Sequence, residues 1–304
     1  MDHIGYTGEL VIVILEGPDG SGKTTLAQYL QRKGYKYHHE GPPPLGAEPL
    51  LWHYGRVLDS FRGQDVVIDR LALGECIYGP VVRGIDRLGE EGWRVFTRLA
   101  LAVGACEIVC LPPPETCFEN WRDRRGELFV QPAQLYEVYS RYAHVVLSDP
   151  GRYVVWDYTR ISPEELTHGL RERPVLPRGL VGSPFAHYLL IGQQVGDVTG
   201  IDLPFFAATG SASYLTGALR LAGIDDVADV AYVNVFDAAG RLVEFPTTNA
   251  AGEVFEIVAL GQVAARRCTL LGLHHRRVRH PQYWKRFKFT DVKGYARALR
   301  GARC

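Results

Sequence analysis

The sequence predicts two α/β domains in tandem, the first built on a parallel sheet. Three observations carry this reading. The 304 residues exceed the usual length of one domain. Short, continuous apolar runs alternate with helical stretches, as strands buried on both faces of a parallel sheet require. A Pro/Gly-rich stretch, Arg173-Pro174-Val175-Leu176-Pro177-Arg178-Gly179, interrupts that alternation, which then restarts. The boundary falls near residue 175, giving domains 1–174 and 175–304.

In the first domain the strands are Leu10-Val11-Ile12-Val13-Ile14-Leu15, then Val66-Val67-Ile68 before Asp69. Ile108-Val109-Cys110-Leu111 before Pro112 and Tyr153-Val154-Val155-Trp156 before Asp157 follow. Helical stretches cover residues 24–32, 115–122 and about 162–170. In the second domain Tyr188-Leu189-Leu190-Ile191 ends at Gly192, and a helix covers about 212–221. Ala231-Tyr232-Val233-Asn234-Val235 is the next strand, and Ile257-Val258-Ala259-Leu260-Gly261 precedes a helix through Leu271.

Composition is that of a globular protein, 46% hydrophobic and 22% charged. No apolar run is long enough to span a bilayer, and the opening Met1-Asp2-His3-Ile4-Gly5 lacks the charged and apolar regions of a secretion signal. The six cysteines form no Cys-x-x-Cys pair, so reduced thiols in a cytoplasm are expected, without zinc or disulfides. The net charge of zero is unevenly placed. From residue 257 onward twelve Lys and Arg face only Asp291, whereas the rest of the chain holds the other 22 basic and 33 acidic side chains. A basic tail of +11 therefore follows a body of −11.

Gly17-Pro18-Asp19-Gly20-Ser21-Gly22-Lys23-Thr24 follows the first strand directly and opens a helix. Glycines at those spacings turn backbone N–H groups onto phosphate oxygens, and the helix N-terminus adds its positive dipole end. Lys23 would reach the β- and γ-phosphates of ATP, and the Thr24 hydroxyl would hold Mg²⁺. The motif makes the first domain a P-loop NTPase fold. Asp69-Arg70 closes a buried strand, where side chains of an open α/β sheet face the ligand crevice. Asp69 could orient an attacking hydroxyl or hold a Mg²⁺-bound water, and Arg70 could neutralise the phosphate in transfer. Arg122, Arg124 and Arg125 lie within four positions, a basic cluster suited to a lid that supplies cations on closure.

The stretch Leu15 to Thr25, Leu-Glu-Gly-Pro-Asp-Gly-Ser-Gly-Lys-Thr-Thr, resembles the opening of thymidylate kinases. Asp69-Arg70 with Gly74-Glu75-Cys76-Ile77-Tyr78-Gly79 resembles the Asp-Arg segment of that family, above all of phage-type deoxynucleotide kinases. Leu111-Pro112-Pro113 with the later arginines resembles its strand and lid. The resemblance covers about residues 9–172. It implies that Gly17, Asp19, Gly20, Ser21, Gly22, Lys23, Thr24 and Thr25 bind ATP. It also implies Asp19 near the sugar 3′-hydroxyl, Asp69 and Arg70 at the point of transfer, Arg122, Arg124 and Arg125 in the lid, and Tyr78 in the base pocket. His39 and Glu40 fall on the acceptor side. There thymidylate kinases carry Arg-Glu-Pro-Gly and this chain carries His38-His39-Glu40-Gly41-Pro42, without the arginine.

The second domain resembles the uracil-DNA glycosylase superfamily over about residues 183–289. Leu190-Ile191-Gly192-Gln193-Gln194-Val195-Gly196 stands for its glycine-rich first motif, Leu203-Pro204-Phe205-Phe206 with Gly210 for the next loop, Asn234 for a strand end and His280-Pro281 for its His-Pro motif. The acid common in the first motif is replaced by Gln193 and Gln194, with Asp197 slightly later. In the basic tail Tyr283, Trp284, Phe287 and Phe289 interleave with Lys285, Arg286 and Lys288, a pattern that puts cations on phosphates and rings on bases. Gln193, Gln194, Asn234, His280, Tyr283, Trp284, Lys285, Arg286 and Lys288 are the DNA-binding candidates. Two functions follow: a kinase acting on a thymidylate-type or modified pyrimidine deoxynucleotide, or a kinase acting on 5-hydroxymethyluracil in phage DNA, its second domain turning the base out of the stack. Both place the protein in a bacterial or phage-infected cytoplasm.

Overall fold

The computed structural model describes residues 12–41, 49–123, 130–149, 152–170, 174–194, 203–287 and 291–301. They form two compact units, one of residues 1–89 and 104–173, the other of residues 90–103 and 174–304. The chain thus leaves the first unit for one helix and returns before crossing over finally.

In chain order the first half contains β1 (Ile12–Glu16), α1 (Lys23–Arg32), β2 (Lys36–His39), α2 (Leu50–Ser60), β3 (Val66–Asp69) and α3 (Ala72–Tyr78), the last running into a π-turn at Gly79–Arg83. Then come α4 (Gly89–Ala102), β4 (Cys106–Cys110), α5 (Pro114–Arg122), α6 (Pro132–Ser148), β5 (Val154–Trp156) and α7 (Pro163–Gly169). The first unit's sheet is parallel throughout, in the order β2-β3-β1-β4-β5. β1 is its centre: Ile12 to Glu16 are all buried, as a strand covered on both faces must be. Leu26, Ala27 and Leu30 of α1 pack with Val13, Leu15, Val67, Ile108 and Trp156 in its core. α7 begins as its sequence dictates. The Ser162 hydroxyl accepts from Glu165 N–H at 3.2 Å, Glu165 reaches back to Ser162 N–H at 2.9 Å, and Pro163 takes the first helical position.

The second unit contains β6 (Val181–Gly182), β7 (Tyr188–Gln194), α8 (Gly210–Leu221), β8 (Val230–Phe236), β9 (Glu256–Leu260), α9 (Gln262–Leu270), β10 (Arg276–Val278), α10 (Pro281–Phe287) and α11 (Val292–Arg300). Its sheet order is β10-β9-β7-β8-β6, parallel except for the short edge strand β6. Leu189, Ile191, Val233, Ala259 and Ala264 form its core with Ala102, which α4 contributes from within the first half of the sequence.

Both sheets put their central strand's C-terminal end beside those of its neighbours. In the first, Leu15 lies opposite Asp69, and Asp69 opposite His39. In the second, Gly192 lies opposite Asn234. Open α/β sheets bind ligands at that edge. Among the described residues no helix is long and apolar enough to cross a membrane.

Candidate functional site

In the first unit the loop between β1 and α1 is shaped by its glycines. Gly17, Gly20 and Gly22 have φ of 135°, 86° and 90°, a region costly for any residue with a Cβ. Space also forbids a side chain: a Cβ on Gly17 would sit 2.4 Å from the Cys110 carbonyl oxygen, and one on Gly20 2.2 Å from that of Cys117. Lys23, the first residue of α1, is 5% exposed and donates to the carbonyls of Gly17 at 2.8 Å and Pro18 at 2.7 Å. Burial, reinforced by the nearby Arg70 cation, brings its pKa down from 10.5 to about 8. Its ammonium is therefore a desolvated cation at the root of the loop, where an anion would be held strongly.

A cavity of about 590 Å³ opens beside the loop, bounded by Gly20, Gly22, Thr24, Thr25, Asn120 and Tyr158. Asn120 donates to the Gly20 carbonyl at 3.2 Å and to the Tyr158 hydroxyl. Asn120 and Tyr158 are site residues that no motif announces; each lies far from the glycine loop in sequence and reaches it through α5 or the turn after β5.

Across the loop stand Asp69 and Arg70. Arg70 N–H donates to the Leu15 carbonyl at 2.9 Å, and Arg70 has φ of 68°, a left-handed backbone for a bulky residue. Its guanidinium pairs with Asp19 and lies 4.4 Å over the Tyr78 ring. Asp19, expected near a sugar hydroxyl, is thus tied to Arg70, and Tyr78, expected to line a base pocket, is buried beneath it. Asp69 Oδ2 accepts from the Tyr37 hydroxyl at 3.1 Å, while its buried Oδ1 has no hydrogen-bond partner among the described residues. His39 Nδ1 is 3.2 Å from the Asp69 carbonyl oxygen. Glu40 is held between His38 and His53, each Nε2 2.6 Å from one of its oxygens, and those bonds keep its carboxyl below the ordinary range despite partial burial. Arg122 is exposed at the end of α5, its Nε 3.5 Å from the Phe118 carbonyl. Arg124 and Arg125 lie outside the described residues.

Glu16, the last residue of β1, is fully buried. It accepts from Leu71 N–H and from the Tyr142 hydroxyl, both at 3.0 Å, and so ties the glycine loop to the Asp69-Arg70 turn and to α6. Burial raises its pKa from 4.5 to about 7. Its bond to Leu71 holds the residue next to the strained Arg70.

A hydroxyl and a carboxylate oxygen are hard donors of the kind Mg²⁺ takes, and Mg²⁺ keeps waters and substrate phosphates for its other positions. Thr24 is exposed at the start of α1, and the partnerless Asp69 Oδ1 is the acceptor such an ion or its water would satisfy. The site therefore fits Mg²⁺, although no cluster of three His, Cys, Asp or Glu suited to a metal occurs among the described residues.

The second unit has its own cavity, about 420 Å³, at the C-terminal edge of its sheet and bounded by Gln193, Gln194, His280, Tyr283, Arg286 and Phe287. Burial lowers the His280 pKa, so the ring is neutral near pH 7. Its Nδ1 accepts from Gln282 N–H at 3.2 Å, which leaves Nε2–H as its donor. Arg279 stacks 4.5 Å over the Tyr283 ring. Asn234 is buried behind Gly192, where a Cβ would lie 2.3 Å from its Oδ1. Lys285 and Arg286 are exposed. Trp284 departs from the interleaved pattern: its ring packs 5.2 Å from that of the fully buried Tyr295, not outward with the cations. Lys288 lies outside the described residues.

No protein-family model and no curated protein matches the chain. Among solved structures it is similar to the YorR protein of Bacillus subtilis in complex with phosphorylated GDP, at 22% identity over 52% of this chain and 91% of that one, with a TM-score of 0.44. A sugar kinase from Janibacter sp. matches at 22% identity over 53% and 91%, with a TM-score of 0.35. Deoxyadenosine kinase from M. mycoides with bound dCTP matches at 15% identity over 52% and 95%, with a TM-score of 0.33.

Proposed function

We propose that the first unit is an ATP-dependent phosphotransferase that moves the γ-phosphate to a deoxynucleotide-type acceptor, a thymidylate or modified pyrimidine deoxynucleotide. One observation supports this above the rest: a glycine loop in left-handed conformations, with a desolvated lysine at its root, lies beside a strand-end Asp-Arg pair in which Asp69 Oδ1 lacks a hydrogen-bond partner among the described residues. The loop amides and Lys23 hold the β- and γ-phosphates, and Arg70 faces the charge in transit. The acceptor oxygen forms the new P–O bond as the bond to the β-phosphate oxygen breaks. A monophosphate acceptor attacks through an oxygen that carries no proton, so Asp69 Oδ1 accepts from a metal-bound water there, and from the attacking hydroxyl only where the acceptor is an alcohol, whose proton it then takes. Mg²⁺, held by Thr24 and Asp69, would neutralise phosphate charge. Arg122, Arg124 and Arg125 form the lid, and Asp19, His39, Glu40 and Tyr78 shape the acceptor side.

A second reading, that the acceptor is 5-hydroxymethyluracil within phage DNA, is favoured by the second unit's cavity. Side-chain amides, a neutral histidine donor and an arginine gather there at one sheet edge, groups that read a base by hydrogen bonds while cations take the strand. Incubation with γ-labelled ATP separates the two. The first predicts label on free thymidine monophosphate or a modified pyrimidine monophosphate, and the second predicts label on 5-hydroxymethyluracil DNA. Label on neither, by protein shown to bind ATP, overturns both.

A further inference from the structure

β2 is an edge strand that adds little to the core: Lys36, Tyr37 and His39 are exposed, Tyr37 by 42%. The Tyr37 hydroxyl nevertheless reaches inward and donates to Asp69 Oδ2 at 3.1 Å. Asp69 itself is 7% exposed. Among the described residues no other hydrogen bond reaches this carboxylate. His39 Nδ1 stands 3.8 Å from Oδ2 and lies closer, at 3.2 Å, to the Asp69 carbonyl oxygen, while Oδ1 has no partner. The orientation of the carboxylate therefore hangs on one phenol.

The strand register explains why the donor is a tyrosine. β2 and β3 run parallel, with Tyr37 opposite Val67 and His39 opposite Asp69. Tyr37 and Asp69 are thus offset by two residues, roughly 7 Å along the strands. A hydroxyl at the end of an aromatic ring spans that offset, whereas the short side chain of serine or threonine would not. A phenol keeps its proton near pH 7, so the hydroxyl donates. The last torsion of an aspartate is broad and two-fold, so a carboxylate without a partner samples many orientations. With Oδ2 held by Tyr37, the direction of Oδ1 is fixed as well.

We propose that Tyr37 is a positioning residue for phosphoryl transfer: by holding Asp69 Oδ2 it aims Oδ1 at the metal-bound water or the acceptor hydroxyl. The proposal rests on the reading of the first unit as a phosphotransferase. Tyr37 acts through Asp69 and takes no part in the bonds made and broken. Its ring, largely outside the core, gives the fold little, which separates this task from a structural one.

The test is a double-mutant cycle on the full chain, with Tyr37→Phe, Asp69→Ala and the pair compared with wild type. Single-turnover transfer from γ-labelled ATP is followed on the acceptor that wild type labels, and ATP affinity is titrated separately. Tyr37→Phe keeps the ring and removes the hydrogen bond. It should slow transfer roughly ten- to a hundred-fold and leave ATP affinity unchanged. In the Asp69→Ala background the same substitution should change the rate by less than about twofold, because no carboxylate remains to be held. An equal fall in both backgrounds overturns the proposal, since Tyr37 would then act on the substrate or the fold and not through Asp69. A merely structural hydroxyl would lower thermal stability and leave the rate of folded Tyr37→Phe near that of wild type, which also overturns it. Should Asp69→Ala not fold, the steady-state constants of Tyr37→Phe decide: a lower kcat at unchanged acceptor KM supports the positioning role, and a rise confined to KM refutes it. Wild-type protein that binds ATP and labels no acceptor refutes the phosphotransferase reading itself.

Discussion

Replacing Glu16 by glutamine tests whether a buried carboxyl holds the candidate active site together. Glutamine keeps the shape: its oxygen can accept from Leu71 N–H and its amide can donate to the Tyr142 oxygen, the two bonds Glu16 makes at 3.0 Å. What it removes is the ionisation. Burial raises the Glu16 pKa from 4.5 to about 7, which at 1.36 kcal/mol per pH unit is about 3 kcal/mol. Between those values the native carboxyl keeps its proton while the unfolded one has lost it. The folded state binds more protons there, so stability falls as pH rises from about 4.5 to 7 and then levels off. Glu16→Gln is free of that loss. Its stability relative to wild type should therefore rise by about 3 kcal/mol between pH 4 and pH 7.5, the contributions of other groups cancelling in the difference. Because two units need not unfold together, the assay is hydrogen exchange of the β1 and β3 peptides along a urea gradient, which reports the first unit alone. A difference between the two proteins that stays constant across this range would refute the reasoning, since Glu16 would then titrate alike in the folded and unfolded states.

Asp69→Asn should lower kcat by roughly 10²-fold or more with little change in ATP affinity, checked by steady-state kinetics and nucleotide titration; a change confined to ATP affinity would remove Asp69 from the acceptor side. Gly20→Ala, whose methyl would stand 2.2 Å from the Cys117 carbonyl oxygen at φ 86°, should weaken ATP binding by about tenfold or more in calorimetry. The protein should excise no uracil from DNA, because Gln193 and Gln194 are neutral amides that cannot serve as a general base; abasic sites that vanish on disrupting this loop would disprove it. Charge reversal at Lys285, Arg286 and Lys288 should flatten the salt dependence of DNA binding, whose log–log slope is about −0.9 per phosphate neutralised in duplex DNA, and leave ATP binding intact.

Much of the central scaffold could be read from residue order. β1, β3 and β4 are apolar runs because both faces of a parallel sheet are covered, and the glycine loop stands out because left-handed turns admit little else. β2 was hidden: Lys36-Tyr37-His38-His39 is an edge strand, largely exposed, so no apolar run marks it, yet it carries Tyr37 and His39 to Asp69. β10, Arg276-Arg277-Val278, is an edge strand hidden in the same way inside a basic tail. Glu16 could be quoted as part of a motif but not assigned a task, because its burial depends on Tyr142, more than a hundred residues away. Arg98 is the plainest case. Nothing local distinguishes an arginine in an amphipathic helix from a solvated one, and only the tertiary fold buries it against Asp226 and Phe205.

The most direct test of the central claim is single-turnover phosphoryl transfer from γ-labelled ATP, measured for wild type and Lys23→Ala on the acceptor that wild type labels. Lys23 is committed to the loop carbonyls and not to the apolar core, so the variant should fold normally by circular dichroism. If, as proposed, this desolvated cation turns to the phosphates when ATP binds, its loss should slow transfer by roughly 10²- to 10³-fold. Transfer by folded Lys23→Ala at a rate near that of wild type would contradict the assignment of this loop as the site of catalysis.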